Sequence, residues 1–166
     1  REFMLRLNGG FSNQITFSDV LINSNFLTFR KVIFPNILKE FKSVYVVCNL
    51  RSKFSAPLAD AIKISIPDNF FVDYNKIEQK VMNEIHQCPQ GALILSSASS
   101  LSNILGWKLR LARPDLTFID VGTVLNDLLG LDIVTREYHV LSLKTDIYNF
   151  VKKVRYKMRH EYKVRW

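Results

Sequence analysis

The sequence predicts an α/β fold with three layers and a mainly parallel sheet. Four short apolar runs, typical of strands buried on both faces of a sheet, recur along the 166-residue chain. Helical patterns separate most of these runs, and this alternation indicates βαβ units, whose parallel strands need crossover connections. The predicted strands cover 44–48, 61–66, 92–95 and 116–119.

The connecting segments are predicted from apolar residues at helical spacing. In the first helix, Pro35 marks either a break or a first-turn position, and Asp73 is placed to cap the second. The residues before 26 give only a weak pattern and predict an irregular start. The predicted helices cover 26–41, 73–87, 101–112 and, more briefly, 124–129.

The composition is that of an ordinary globular domain, with 48% hydrophobic and 23% charged residues, and it argues against a disordered chain. No apolar run is long enough to span a membrane, and the first residues lack the apolar core of a signal peptide. Cys48 and Cys88 have neither metal-site spacing nor the pattern of a disulfide framework. We therefore expect free thiols in a reducing compartment, and a cytoplasmic protein.

Positive charge is concentrated at the carboxyl end. Residues 144–166 carry +6 of the net charge of +8, so we divide the chain into a domain over 1–143 and a basic helix over 144–166. This helix either packs on the domain or on a second copy, which would give a homo-oligomer, or it binds an anionic surface at the inner face of the membrane. Its apolar stripe is Ile147, Phe150, Val151, Val154 and Met158.

Parallel sheets of this kind bind ligands beyond the carboxyl ends of their strands. Three polar loops, 48–55, 96–100 and 120–123, directly follow predicted strands. We therefore expect the binding site to form where these loops meet. Its candidate residues are Arg51, Ser52, Lys53, Ser96, Ser97, Ser99, Asp120 and Gly122.

Each loop suits a phosphorylated ligand, and each also has a simpler interpretation. Arg51 and Lys53 offer a planar fork and a point charge for phosphate oxygens, or they belong to a solvated loop. The serines open a helix, whose N-terminal N–H groups attract anions, or they cap that helix. Asp120 suits a sugar hydroxyl, or it caps the next helix, and Gly122 allows close backbone approach.

No motif assigns a catalytic base or a set of metal ligands. The chain lacks the glycine-rich GxGxxG and GxxxxGK[ST] sequences, and it also lacks GxSxG and HExxH. Its histidines, His86, His139 and His160, are scattered and are predicted to be surface or structural residues.

Three motifs follow one another between residues 31 and 130. Arg51-Ser52-Lys53-Phe54 is similar to a Lys-Ser-Arg-Leu-like loop, and the strand over 93–95 runs into Ser96-Ser97-Ala98-Ser99 at a Gly-Pro-Thr-Ala-like turn. A strand ending in Asp120-Val121-Gly122 then matches an Asp-Ile-Gly ending, with Asp127 at an acidic position in the following helix. In this order and spacing the segment resembles the carboxyl-terminal half of the GT-D type bacterial glycosyltransferases.

The resemblance implies a Rossmann-like domain that binds a nucleotide sugar, commonly a UDP-hexose, and transfers the hexose to a glycan or a protein-linked acceptor. Arg51 and Lys53 would then stabilise the departing diphosphate, the serine turn would hold phosphate or sugar oxygens, and Asp120 would orient the ribose or the sugar. The family uses a divalent cation, Mn²⁺ or Mg²⁺, held by an Asp-x-Glu motif. This chain contains neither Asp-x-Asp nor Asp-x-Glu, so we expect no strong dependence on a tightly bound metal.

Two other functions remain open from the sequence. The first is a non-catalytic module that recognises a nucleotide or a glycan. The second is binding of nucleic acid or another anionic surface through the basic carboxyl-terminal segment, although no recognised nucleic-acid motif accompanies it.

Overall fold

A computed structural model describes residues 21–22 and 25–131, and the predicted basic helix and the boundary at 143 lie outside these residues. One sheet of four parallel strands forms the centre, in the order β2-β1-β3-β4. The predicted α/β class and parallel sheet are therefore confirmed, and the predicted strands differ from the observed ones only at their ends. The strands are β1 (Val44–Asn49), β2 (Ile62–Ile66), β3 (Leu93–Ser96) and β4 (Thr117–Asp120).

The helices also match the periodicity. A helical segment comprises α1 (Phe26–Thr28), a π-helical stretch (Phe29–Ile33) and α2 (Phe34–Glu40), and it is followed by α3 (Tyr74–His86) and α4 (Ser100–Ala112). Proline has no N–H group and would clash with the carbonyl four residues earlier in a regular helix. The wider π-helical turn places the Phe34 N–H on the Phe29 carbonyl instead. Pro35 therefore occupies the first turn of α2, and the helical path is not broken there.

Two apolar cores lie on opposite faces of the sheet, because successive strand residues point to opposite sides. On the first face, Phe29 and Phe34 from the helical segment pack with Val46 and Cys48 of β1. On the second face, α3 and α4 pack on Val47 and on the alternate residues of β2 and β3. The three-layer arrangement is thus confirmed. Both cysteines are free, as expected, and both are buried; burial raises the pKa of each thiol.

The segment predicted as a helix over 124–129 consists of turns, so that prediction was wrong. Its apolar residues are spaced as on a helix, and Val124, Leu125, Leu128 and Leu129 are all buried in the first core. However, the carbonyls of Leu128 and Leu129 accept hydrogen bonds from the backbone of Ser55 and Lys53. Pairing with the loop after β1 thus replaces the regular helical ladder.

The order of the strands reverses beside β1. The β1–β2 connection buries Leu58 in the first core, whereas α4, which follows β3, packs in the second. The chain therefore leaves the adjacent ends of β1 and β3 towards opposite faces of the sheet. Such a topological switch point opens a crevice at the carboxyl edge, where ligands of open α/β sheets bind. No helix in the described ranges is long and apolar enough to cross a membrane.

Candidate functional site

A cleft of about 430 Å³ lies at this switch point. It draws residues from the ends of all four strands, including each of the three loops named from the sequence. Its wall is more apolar than polar, and Ile66, Phe70 and Leu131 lie in it beside the polar groups. The lining residues are Asn49, Ile66, Pro67, Asp68, Phe70, Ser97, Ala98, Ser99, Gly122, Thr123, Asn126 and Leu131.

On the β1 and β2 side, Asn49, Arg51 and Asp68 hold one another in place. Asp68 Oδ1 accepts from Arg51 Nη2 at 2.6 Å and from Asn49 Nδ2 at 2.7 Å. Asn49 Oδ1 in turn accepts from the Arg51 N–H at 2.9 Å. Arg51 Nη1 and Asp68 Oδ2 make no hydrogen bond within the described chain, so a donor and an acceptor remain available to a ligand.

Lys63 fixes the loop that carries Arg51. Its Nζ donates to the carbonyls of Leu50 and Ser52, at 3.1 and 2.9 Å, and the Ser52 N–H returns to the Asn49 carbonyl at 3.0 Å. Ser52 itself is buried. Because its ammonium group donates to two carbonyls of the loop, Lys63 holds the loop in place. The sequence analysis missed this role.

On the β3 side, Ser99 has φ +52° and ψ −138° at the residue before α4. An L-residue other than glycine rarely adopts this conformation, and such strain persists only where the surroundings enforce it. The Ser99 side chain does not cap α4. The N–H groups of Ser99 and Ser100 make no hydrogen bond with the rest of the described chain and stand at the positive end of the helix.

The neighbouring serines are the groups that enforce this turn. Ser96 Oγ lies 2.8 Å from Ser102 Oγ in the core, and Ser102 Oγ accepts from the Ala98 N–H at 3.2 Å. Ser97 Oγ donates to the Gly122 carbonyl at 2.6 Å and so ties the β3 loop to the β4 loop. Ser97 therefore does not cap α4, and Ser99, at the N-cap position, makes no side-chain capping bond, so the interpretation of these two serines as helix caps was wrong.

On the β4 side, Asp120 Oδ1 accepts from the Gly122 N–H at 3.0 Å and closes a short turn. Gly122 has φ +49°, which favours glycine, and no described atom lies near the position of a Cβ. It thus presents bare backbone to the cleft. Asp127 is turned away into a 2.6 Å salt bridge with Arg30.

The structure separates the predicted binding residues into two groups. Ser97, Ser99 and Gly122 line the cleft, and Arg51 reaches it through Asp68. The other four do not line it: the Lys53 N–H pairs with Leu129 on the first face, and the side chains of Ser52, Ser96 and Asp120 are turned to their own loops or to the core. Donor binding by any of the eight stays a prediction.

The sequence analysis missed four polar residues of the lining: Asn49, Asp68, Thr123 and Asn126. Asp68 follows β2 just as Arg51 follows β1. The expectation that ligands bind beyond the carboxyl ends of the strands therefore applies to Asp68 as well. In the sequence, Pro67-Asp68-Asn69 looks like an ordinary turn after the strand, because turns and ligand-binding loops use the same residue types.

The described residues do not fit a tightly held Mn²⁺ or Mg²⁺. No group of three His, Cys, Asp or Glu side chains converges among them. Asp68 is the acidic residue of the cleft lining, and one of its oxygens already serves Arg51 and Asn49. Asp120 and Asp127 bond separately, to Gly122 and to Arg30.

Comparison of the chain with protein-family models, with curated proteins and with solved structures gave no match. The functional argument therefore depends on the fold, the geometry of the cleft and the motifs of the sequence.

Proposed function

We propose that the cleft binds a nucleotide-sugar donor, with a UDP-hexose as the preferred candidate, and that the protein transfers the hexose to a glycan or a protein-linked acceptor. One observation carries the proposal: the switch-point cleft has unpaired backbone N–H groups at the start of α4 on one side and the carboxylate of Asp68 on the other. The succession of motifs that resembles the GT-D type enzymes supports the choice of ligand.

The diphosphate would lie at the start of α4. The unpaired N–H groups of Ser99 and Ser100 combine with the helix dipole to attract a phosphate group. The Ser99 hydroxyl is exposed and adds a further donor. The bare backbone of Gly122 lets the ligand approach closely from the β4 side.

The ribose would lie at Asp68. A carboxylate accepts hydrogen bonds from neighbouring hydroxyls, and Asp68 Oδ2 is free for them while Oδ1 is held by Arg51 and Asn49. The ends of β2 and β3 are two strand spacings apart, roughly 10 Å. This separation suits a nucleotide that crosses the end of β1, with its phosphates towards α4.

In the transfer step, the bond between the anomeric carbon and the diphosphate oxygen breaks while the acceptor oxygen bonds to that carbon. The bonding electrons leave with the diphosphate, where negative charge develops. The N–H groups at the start of α4 would stabilise that charge, and fixed donors of this kind act without reorganisation. Arg51 is hydrogen-bonded to Asp68 at the ribose end, so it is not assigned to this step. The described lining contains no second acid or histidine to take the acceptor proton, so no base is assigned.

The residue types of the cleft lining favour a second candidate, a nucleotide- or glycan-binding module without catalysis. Asp68 is the ionisable residue among the described lining residues, and transfer enzymes need a group to accept a proton. The two candidates share the binding site and differ in turnover.

The test measures binding and turnover in turn. Calorimetry with UDP, a UDP-hexose and UMP, each with and without Mn²⁺, should show micromolar to millimolar binding that strengthens with the second phosphate. Asp68→Asn should weaken binding about tenfold, since a charged acceptor is lost. Asp60→Asn, an exposed acid away from the lining, is the matched control.

Binding followed by release of UDP in the presence of acceptor supports a transferase. Binding without release supports the module. A folded wild-type chain that binds none of these nucleotides, with or without Mn²⁺, would refute both the transferase and the nucleotide-binding module.

A further inference from the structure

Helix α4 has an apolar face on each side. Leu101, Leu105 and Leu109 are buried against the sheet, as a surface helix requires. On the opposite side, at the helical spacing i, i+3 and i+7, Ile104, Trp107 and Leu111 face outward, with 36, 64 and 71% of each residue exposed. We call these three residues the outer stripe. No described segment packs over it.

The charges around the outer stripe are positive. Helix α4 contains Lys108 and Arg110 and no acidic residue. Its nearest acids are neutralised, because Glu78 pairs with Lys108 and Asp115 pairs with Arg113.

The same imbalance extends to α3, which lies beside α4 in the same layer. Its outward Glu84 is paired with Lys80, and Asp73 precedes the helix. Arg110 on α4 and Lys76 on α3 form no salt bridge in the described part of the chain. Both unpaired cations therefore belong to the helical layer that carries the outer stripe.

We propose that the outer stripe docks the protein on an anionic lipid surface. Tryptophan is the side chain most favoured at a membrane–water interface, and isoleucine and leucine beside it would enter the boundary of the acyl chains. Arg110 and Lys76 would stay among the headgroups, whose anionic charge attracts them. This site lies in the folded domain and is distinct from the basic segment 144–166.

The charge of the chain selects lipid over a second copy as the occupant. Two copies packed through the outer stripe would bring the unpaired Arg110 of each towards the other and would oppose chains of net charge +8. An anionic surface is attracted by the same charges. The proposal does not depend on nucleotide binding, and its test uses no nucleotide.

The first measurement is the fluorescence of the full chain carrying Trp166→Phe, which leaves Trp107 as the emitting tryptophan. Vesicles of phosphatidylcholine with phosphatidylglycerol should shift its emission to the blue, and pure phosphatidylcholine vesicles should not. High salt should reduce the effect, because it screens Arg110 and Lys76.

The second measurement is co-sedimentation with the same vesicles. Replacing Trp107 and Leu111 together by Gln should lower partition about tenfold, since two large apolar contacts are lost. The control replaces Val32 and Ile33 by Gln, two exposed apolar residues on the opposite layer, and should leave partition unchanged.

Three results would overturn the proposal. Sedimentation that is insensitive to the Trp107 and Leu111 changes, without a spectral shift, would place membrane contact elsewhere, as in segment 144–166. Emission already blue without lipid, with a dimer that these changes dissociate, would make a second copy the occupant. If the protein with an intact outer stripe neither sediments with the vesicles nor shows the spectral shift, docking is excluded. This result does not depend on any substitution in the outer stripe.

Discussion

Helices α3 and α4 have 13 residues each and cover the same face of the sheet, yet their outward sides differ in chemistry. The outward positions of α3 are polar, with Lys76, Lys80 and Asn83 among them. Those of α4 carry Ile104, Trp107 and Leu111. Both helices bury a similar apolar stripe, so packing on the sheet does not explain the difference. The comparison teaches that α3 is a structural helix, whereas α4 presents two further surfaces, its N-terminus in the cleft and its outer stripe.

The largest expected effect separates the two sides of α4. Leu105→Ala should lower the free energy of unfolding by about 3 kcal/mol, because the cavity forms in the second core. Leu111→Ala, in the same helix, should change it by less than about 0.5 kcal/mol. Urea denaturation followed by circular dichroism measures both. A large loss for Leu111→Ala would mean that the outer stripe is packed in the full chain.

The next effect concerns the ion pairs of the two helices. Lys108→Met should cost about 1–2 kcal/mol, because it leaves the buried Glu78 carboxylate without its partner. The matched change Lys80→Met breaks the exposed pair with Glu84, at 3.6 Å, and should cost about 0.3 kcal/mol. Adding Glu78→Gln to Lys108→Met should recover most of the loss. Equal costs for the two lysines would contradict the difference in burial.

The starts of the two helices also differ, and Ser99→Gly sharpens that difference. Glycine adopts φ +52° without strain, so the change should stabilise the protein by about 0.5–1 kcal/mol, once the greater freedom of the unfolded chain is included. Ser100→Gly, at the first residue of α4, relieves no such strain and should not stabilise the protein. The same unfolding measurement applies. Destabilisation by both changes would show that the turn at Ser99 is unstrained in solution.

The smallest expected effect on stability concerns the carboxyl ends of α3 and α4, which Arg113 joins. Arg113 directly follows α4. It donates to the carbonyls of His86 and Cys88, at and just after the end of α3, and to both carboxylate oxygens of Asp115. The hydrogen bond with Arg113 holds the pKa of Asp115 below its usual value of 3.8. Because the folded pKa is the lower one, this stabilisation is present above the unfolded pKa and is lost as the pH falls through the folded pKa.

The measurement is thermal unfolding of the wild type and of Asp115→Asn, from neutral pH down through the folded pKa of Asp115. The wild type should melt higher at neutral pH, and the difference should shrink in acid. A difference that does not change with pH would mean that the contact acts without the carboxylate charge.

The sequence revealed the elements better than their arrangement. The continuous apolar runs of β1 and β3 and the stripe of α3 follow from burial, and each was visible as periodicity. The strand order was not visible, because it depends on which face each connection crosses. The same limit hid Asp68, which resembled a turn residue until β2 was placed beside β1. It also hid the outer stripe, since periodicity does not say which of two apolar faces of α4 packs on the sheet.

The π-helical stretch before Pro35 ties the length of that helical segment to the proline. Its turn between Phe29 and Phe34 contains one residue more than a regular helix would use. Removing one residue there would restore a regular turn and leave the two phenylalanines four positions apart, which still places both on the face that is buried in the first core. The regular turn would, however, bring the proline ring against the carbonyl four residues earlier. Shortening the segment by one residue is therefore tolerable only where Pro35 is replaced as well.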